Sequence, residues 1–303
     1  MVRYKKPPAS RNIEDRRGRP SGRNLAVGGG GIGLVGVIVI VVVNLFLGGG
    51  LEDLGGLAGE LAPAGPPAAD RPIETIDPED DPDAAVVEYM EAVYVDNDLT
   101  WQGIFQEAGR SDYRPPRFVF FDGFTESECG GADERYGPHY CPLDETMYLD
   151  LSFFAQLRSQ FGARGDLAPA YVVSHEFGHH IQTVLGVSEE VRAMQQANPD
   201  DANRLSVAME LQADCFAGVW LSTVSQDTTQ QVEEGYIEID RGELGEAIEA
   251  AEAVGDDRVQ AQGTGMSNPE TWTHGSAAQR AEWLQVGMDT GDPARCDTFS
   301  ASD

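Results

Sequence analysis

"VSHEFGHHIQ", residues 173–182, holds three of the five histidines of this chain with one glutamate among them. It lies inside "APAYVVSHEFGHHIQTVL", which carries Pro169 in its first turn and Gly186 just past its end, so the spacing predicts a helix from about 168 to 185. Residues four apart on a helix turn through about 400°, so His175 and His179 project from one face a turn apart. A helix that fixes two imidazoles in this way suits a pair of zinc ligands. Glu176 sits about 100° around from His175, within reach of a water on the ion without ligating the ion itself. His180 points elsewhere and reads as a packing or surface residue.

Two histidines leave a zinc site incomplete, and a second helix, "RLSVAMELQADCFAGVWLSTV", offers the rest. Glu210 and Asp214 are again four apart, in a run otherwise dominated by Met209, Leu211, Cys215, Phe216, Val219 and Trp220. Two carboxylates in an apolar run are costly unless a cation or hydrogen bonds compensate them. The natural assignment puts Glu210 on the metal and lets Asp214 accept the outer N–H of a ligating histidine. Asp214 or His274 as third ligand stays open, as does a placing of both acids at the solvent edge of an amphipathic helix. A metzincin is excluded, because its pattern needs Gly at 182 and His at 185, where the chain has Gln182 and Leu185.

Charge is unevenly distributed along the 303 residues. Residues 1–24 hold eight of the 21 basic residues and only two of the 51 acidic ones, so the remainder carries 13 basic and 49 acidic residues, a net charge of −36. Such a remainder has no basic patch for nucleic acid. Between the two regimes lies "LAVGGGGIGLVGVIVIVVVNLFL", residues 25–47, without a charged side chain. As a helix it would reach about 34 Å, enough to cross a hydrocarbon core of about 30 Å. The basic flank before it predicts a single-pass membrane protein with a cytoplasmic tail at 1–24 and everything beyond about residue 50 outside the cytoplasm. A cleaved signal peptide, with "LAPAG" at 61–65 as the site, and a twin-arginine signal at Arg16 and Arg17 fit less well, because the apolar run is longer than a signal core and does not directly follow the arginines.

Residues 48–83 are rich in proline and acid and read as an extended linker, after which a folded domain over 84–303 begins in "DAAVVEYMEAVYV". "RFVFFDGF" (117–124) and "TMYLDL" (146–151) read as strands forming a hairpin-like pair, the latter with an edge for an extended peptide. Further helices are expected over "FFAQLRSQF", "GELGEAIEAAEAVG" and "SAAQRAEWLQVGM", the last opened by a capping box from Ser276 and Gln279. The fold class is therefore α+β, mostly helical with a small sheet. For a domain outside the cytoplasm, four cysteines imply two disulfides, for which the sequence alone permits three pairings; Cys129 with Cys141 and Cys215 with Cys296 is the favoured one, and a zinc site from Cys129, His139 and Cys141 would have only three ligands.

With HEFGHH, ELQAD, "CGGADERYGPHYCPLDETMYLDLSFF", "GDDRVQ" and "THGSAAQR" in place, the chain resembles the neutral zinc metallopeptidase family of bacterial membrane-anchored proteins, with the gluzincin pattern of HExxH plus ExxxD, over about residues 85–300. The resemblance implies a zincin-like fold and one Zn2+ held by His175, His179 and Glu210. It also implies that Glu176 serves as catalytic residue and that peptide bonds of a peptide or protein are hydrolysed, as by a metalloendopeptidase. His274, just before a helix start, is the first candidate for stabilising the oxyanion, and Tyr148 the second. The rival expectation is a membrane-tethered scaffold that keeps zinc and cleaves nothing; a hydrolase acting on esters or glycans is another.

Overall fold

The computed structural model describes residues 2–18, 81–133, 137–155, 165–225, 235–264 and 267–300. The apolar stretch 25–47, nearly all of the linker 48–83 and most of the helix expected in "FFAQLRSQF" lie outside the described residues. Among the described residues no helix is long and apolar enough to cross a membrane.

In chain order the elements are strands β1 (Arg3–Tyr4) and β2 (Ile13–Asp15), helix α1 (Ala84–Glu107), and strands β3 (Arg117–Phe121), β4 (Phe124–Ser127), β5 (Gly130–Asp133), β6 (His139–Cys141) and β7 (Thr146–Asp150). Helices α2 (Leu167–Leu185), α3 (Val187–Ala197) and α4 (Ala202–Val224) follow, then strand β8 (Ile237–Glu238) and helices α5 (Leu244–Ala253), α6 (Asp256–Thr264) and α7 (Ala277–Thr290). Helix α2 stops where Gly186 turns left-handed at φ 83°, a conformation that costs glycine nothing. Helix α7 opens on the Ser276–Gln279 capping box.

The main sheet has the order β2-β3-β7-β6, with β2, β3 and β7 parallel and β6 antiparallel to β7. Two expectations are corrected here. Strands β3 and β7 are parallel neighbours rather than a hairpin, because the residues between them are numerous enough to cross over, passing through the β4–β5 ribbon and β6 on the way. In consequence β7 lies inside the sheet, and among the described residues the two edges of the sheet are β2 and β6, with β6 the edge next to β7. The Cys129–Cys141 disulfide ties the β4–β5 turn to the end of β6, and Cys215–Cys296 ties α4 to the segment after α7. Those thiols are consumed, so the zinc site considered for Cys129, His139 and Cys141 does not form.

The reading of 1–24 as a separate tail is corrected as well. Residues 13–15 are a strand of the main sheet, in register with Phe118 to Phe120, and residues 3–4 pair with β8. Alternation along the pleat supplies the physical reason, since Ile13 and Val2 add to the apolar core that the helices cover.

That core sits between the sheet and helices α1, α2, α4 and α5. Tyr94 of α1 stacks on Phe118 of β3 at 5.6 Å and meets Phe177 of α2 at 5.8 Å, while Trp101 meets Phe216 of α4 edge-on at 5.2 Å. Burying each such ring contributes roughly 1.5–3 kcal/mol, and here it also fixes α2 against the sheet. Val119, Phe121, Cys141 and Tyr148 form a smaller cluster on the opposite side.

Candidate metal centre

Helix α2 passes α4 closely at Gly178, where an added Cβ would lie 2.9 Å from the Ala213 carbonyl oxygen. The small pair Gly178 and Ala213 lets the two backbones approach, and the longer side chains on either side of that contact converge. His175 Nε2 lies 3.1 Å from Glu210 Oε2, and His179 Nε2 lies 3.5 Å from Glu210 Oε1. One ligand atom from each of the three residues falls within 4.8 Å of the others, the span of a single coordination sphere.

Each imidazole is held from behind through its other nitrogen. His175 Nδ1 is 2.8 Å from Asp214 Oδ1, and His179 Nδ1 is 2.9 Å from Gln182 Oε1. Both Nδ1 atoms donate to these oxygens, which leaves both Nε2 lone pairs directed at the space beside Glu210. Gln182 is itself oriented, because its amide nitrogen donates to the Met209 carbonyl at 2.7 Å and to Gln212 at 3.1 Å. Asp214 is fully buried, and it accepts from the Tyr171 hydroxyl at 2.6 Å and from both Nε and Nη2 of Arg280 on α7. Its oxygens are thus occupied behind His175, and the position facing the histidines is taken by Glu210.

The electrostatics favour a cation at this point. Burial alone would push His175 down, but the carboxylates of Asp214 and Glu210 outweigh it and raise its pKa to about 9. Burial would raise Glu210, yet His179 and His175 hold it well below the carboxylate range; Arg280 and His175 likewise bring Asp214 to about 2 against the cost of its burial. Two ionised carboxylates that draw positive charge onto buried imidazoles present the donor set and the field that a zinc ion satisfies.

A cavity of about 620 Å³ opens over these residues. Gly137 to Tyr140 at the β6 edge, Arg192 of α3, Ser206 of α4, and Asp256, Val259 and His274 are among the residues that line it, together with Glu176. His274 is fixed by Asp256, whose Oδ2 accepts from the backbone nitrogens of Thr273 and His274 at 2.7 Å and of Gly275 at 3.1 Å, while its Oδ1 lies 3.2 Å from His274 Nδ1. Tyr148 is corrected as an oxyanion candidate: it lies on the other face of the sheet and donates its hydroxyl to Asp144 at 2.8 Å. His180 is a buried structural residue, with Nδ1 3.1 Å from the Tyr140 hydroxyl and Nε2 2.7 Å from the Arg114 carbonyl. Arg280, Tyr171, Gln182 and Asp256 escaped sequence reasoning. Only "GDDRVQ" and "AAQR", as stretches, pointed to two of them.

The profile of a family described as "Putative neutral zinc metallopeptidase" matches residues 2–299. The chain belongs to the neutral zinc metallopeptidase family. Within it, the chain is 39% identical over 309 aligned positions to the uncharacterized protein YpfJ of Escherichia coli K12, an alignment covering 99% of this chain and all of that protein. It is 50% identical over 196 positions to the uncharacterized protein Rv2575 of Mycobacterium tuberculosis H37Rv, which covers 63% of this chain and 64% of that protein. No solved structure matches the chain. The family implies peptide or protein substrates and suggests zinc, and His175, His179 and Glu210 form a group that could hold a metal ion.

Proposed function

We propose that this chain is a zinc-dependent endopeptidase in which His175, His179 and Glu210 hold one Zn2+. The observation that carries the reading is the paired orientation of the two imidazoles, each Nδ1 bound to a protein oxygen and each Nε2 turned towards Glu210. A bound zinc supplies Lewis acidity, which brings water towards ionisation near neutral pH and polarises a carbonyl.

Glu176, facing the cavity beside His175, takes the proton of the attacking water and returns it to the departing amine. His274, held by Asp256 at the rim, donates a hydrogen bond to the oxygen that becomes negative as the carbonyl is attacked. The open edge of β6, bordering the same cavity, offers backbone groups to an extended peptide, which would hold sequence-diverse substrates. The apolar stretch 25–47 is the element suited to membrane contact.

The test compares the full chain with Glu176→Gln on unfolded proteins and peptide libraries while zinc content is measured in both. Cleavage by the parent chain, absent from the variant at equal zinc, supports the endopeptidase. Background cleavage by both at full zinc would instead indicate a zinc-bearing scaffold, and activity confined to esters or glycans another hydrolase.

A further inference from the structure

Residues 2–18 are joined to the domain by several independent contacts. Strand β1 pairs antiparallel with β8 in the register Arg3↔Glu238 and Tyr4↔Ile237, and Lys5 N donates to the Tyr236 carbonyl at 2.9 Å. Strand β2 lies parallel on β3, and the pairing continues past it, with Arg16 N donating to the Phe120 carbonyl at 2.8 Å and Gly18 N to Asp122 at 2.9 Å. Three of the eight basic side chains in residues 1–24 pair with acids far along the chain: Arg3 with Glu238 at 2.8 Å, Lys6 with Glu88 at 2.7 Å and Arg17 with Asp81 at 2.7 Å. The first two pairs are exposed and contribute little, but the Arg17 and Asp81 side chains are only 3% and 8% exposed.

That last pair joins positions 17 and 81, which bracket the apolar stretch 25–47. Strands of one sheet and a buried ion pair cannot sit on opposite sides of a hydrocarbon layer about 30 Å thick. A 23-residue helix is long enough to cross such a layer once, at about 34 Å, and too short to cross and return. We infer that residues 2–18 form a strap docked on the peptidase domain in the same compartment, so that positions 18 and 81, which flank 25–47, lie on one side of the bilayer. The two disulfides assign that compartment to an oxidising space. This replaces the single-pass arrangement, with a cytoplasmic amino terminus and an extracytoplasmic domain, that charge alone suggested.

The test uses the full chain carrying Arg3→Cys and Glu238→Cys, expressed in bacterial cells, with thiols blocked before lysis. Directly opposed antiparallel positions lie about 4.5–5.5 Å apart between Cα atoms, within the range a disulfide bridges. A peptide joining positions 3 and 238 in the non-reduced digest, with no such cross-link when Arg3→Cys is combined instead with Leu143→Cys, supports the strap. Two blocked, unlinked thiols overturn it. A second measurement guards against the cysteines disturbing the pairing. Chymotryptic cleavage after Tyr4 should be about tenfold faster in Arg17→Glu, and the exchange Arg17→Glu with Asp81→Arg should restore the parent rate. Equal rates in all three proteins would also overturn the proposal.

Discussion

Arg280 grips Asp214 through two contacts, Nε to Oδ2 at 2.8 Å and Nη2 to Oδ1 at 3.0 Å, with both side chains almost wholly enclosed. Asp214 in turn holds His175, so a residue near the end of the chain sets the tautomer of a candidate ligand on α2. Asp214→Asn keeps the shape but places a neutral amide against the imidazole and the guanidinium. Zinc affinity, measured by competition with a chromophoric chelator, should fall about 10- to 100-fold. Arg280→Gln leaves a buried carboxylate without its cation and should lower unfolding stability by about 3–5 kcal/mol. The two variants act on one network, so their losses of unfolding stability, each measured on the metal-free chain, should combine to less than the sum in the double variant.

Backbone proximity makes a separate prediction. Gly287 of α7 and Gly218 of α4 face each other so closely that a Cβ on Gly287 would overlap the Cys215 carbonyl and lie 2.8 Å from Val219 N. Backbone atoms cannot swing aside, so Gly287→Ala should lower the unfolding free energy by roughly 1–3 kcal/mol and shift Arg280 from Asp214. Gly178→Ala pushes α2 from α4 at the ligands themselves, and should weaken zinc binding more than it lowers Tm. Gly103 in α1, where an added Cβ meets nothing within 4 Å, is the control: its replacement by alanine should be neutral or stabilising by up to about 1 kcal/mol.

The helices that carry the site were legible because their signals are local. Pro169 and Gly186 bracket α2, the Ser276 capping box opens α7, and i,i+4 spacing put His175 with His179 and Glu210 with Asp214. Pairing was not legible. Strand β3 has the same alternation beside a parallel neighbour as beside a hairpin partner, so nothing in "RFVFFDGF" discloses that β7 lies parallel to it or that β2 flanks it on the other side. The strap failed for a related reason: a short basic segment next to an apolar run satisfies a topology rule, while its partners Glu88, Asp81 and Glu238 lie far along the chain. Asp256 and Gln182 escaped because each acts by orienting another residue, a role that leaves no spacing of its own.

His180 carries a pH prediction. Burial pushes its pKa from the ordinary 6.5 down to about 4, so in the folded protein it remains neutral, donating from Nε2 to Arg114 and accepting at Nδ1 from Tyr140. A histidine whose folded pKa is depressed binds its proton more readily when unfolded. Stability is therefore full above about pH 6.5 and is lost as pH falls towards about 4, by a total of about 3 kcal/mol at about 1.36 kcal/mol per unit. Denaturant unfolding of the metal-free chain at several pH values, beside His180→Gln, isolates this contribution. A slope through that window equal in both proteins would assign the acid sensitivity elsewhere.

Asp256 and His274 supply the last prediction, because they separate turnover from metal binding. Three backbone nitrogens and the His274 ring converge on the Asp256 carboxylate, and that loop places His274 over the cavity rather than among the ligands. Loss of a donor to a developing oxyanion costs about 10²- to 10³-fold in kcat, so His274→Ala should fall by that factor with its zinc content intact. Asp256→Asn should show a smaller loss of kcat, with KM little changed. Burial lowers the His274 pKa, whereas the hydrogen bond to Asp256 outweighs it and raises it. In Asp256→Asn the imidazole should therefore lose its proton at lower pH, and the alkaline limb of the kcat profile should move in that direction. Zinc lost from His274→Ala would make residue 274 a ligand, and an unmoved alkaline limb in Asp256→Asn would assign that limb to another group.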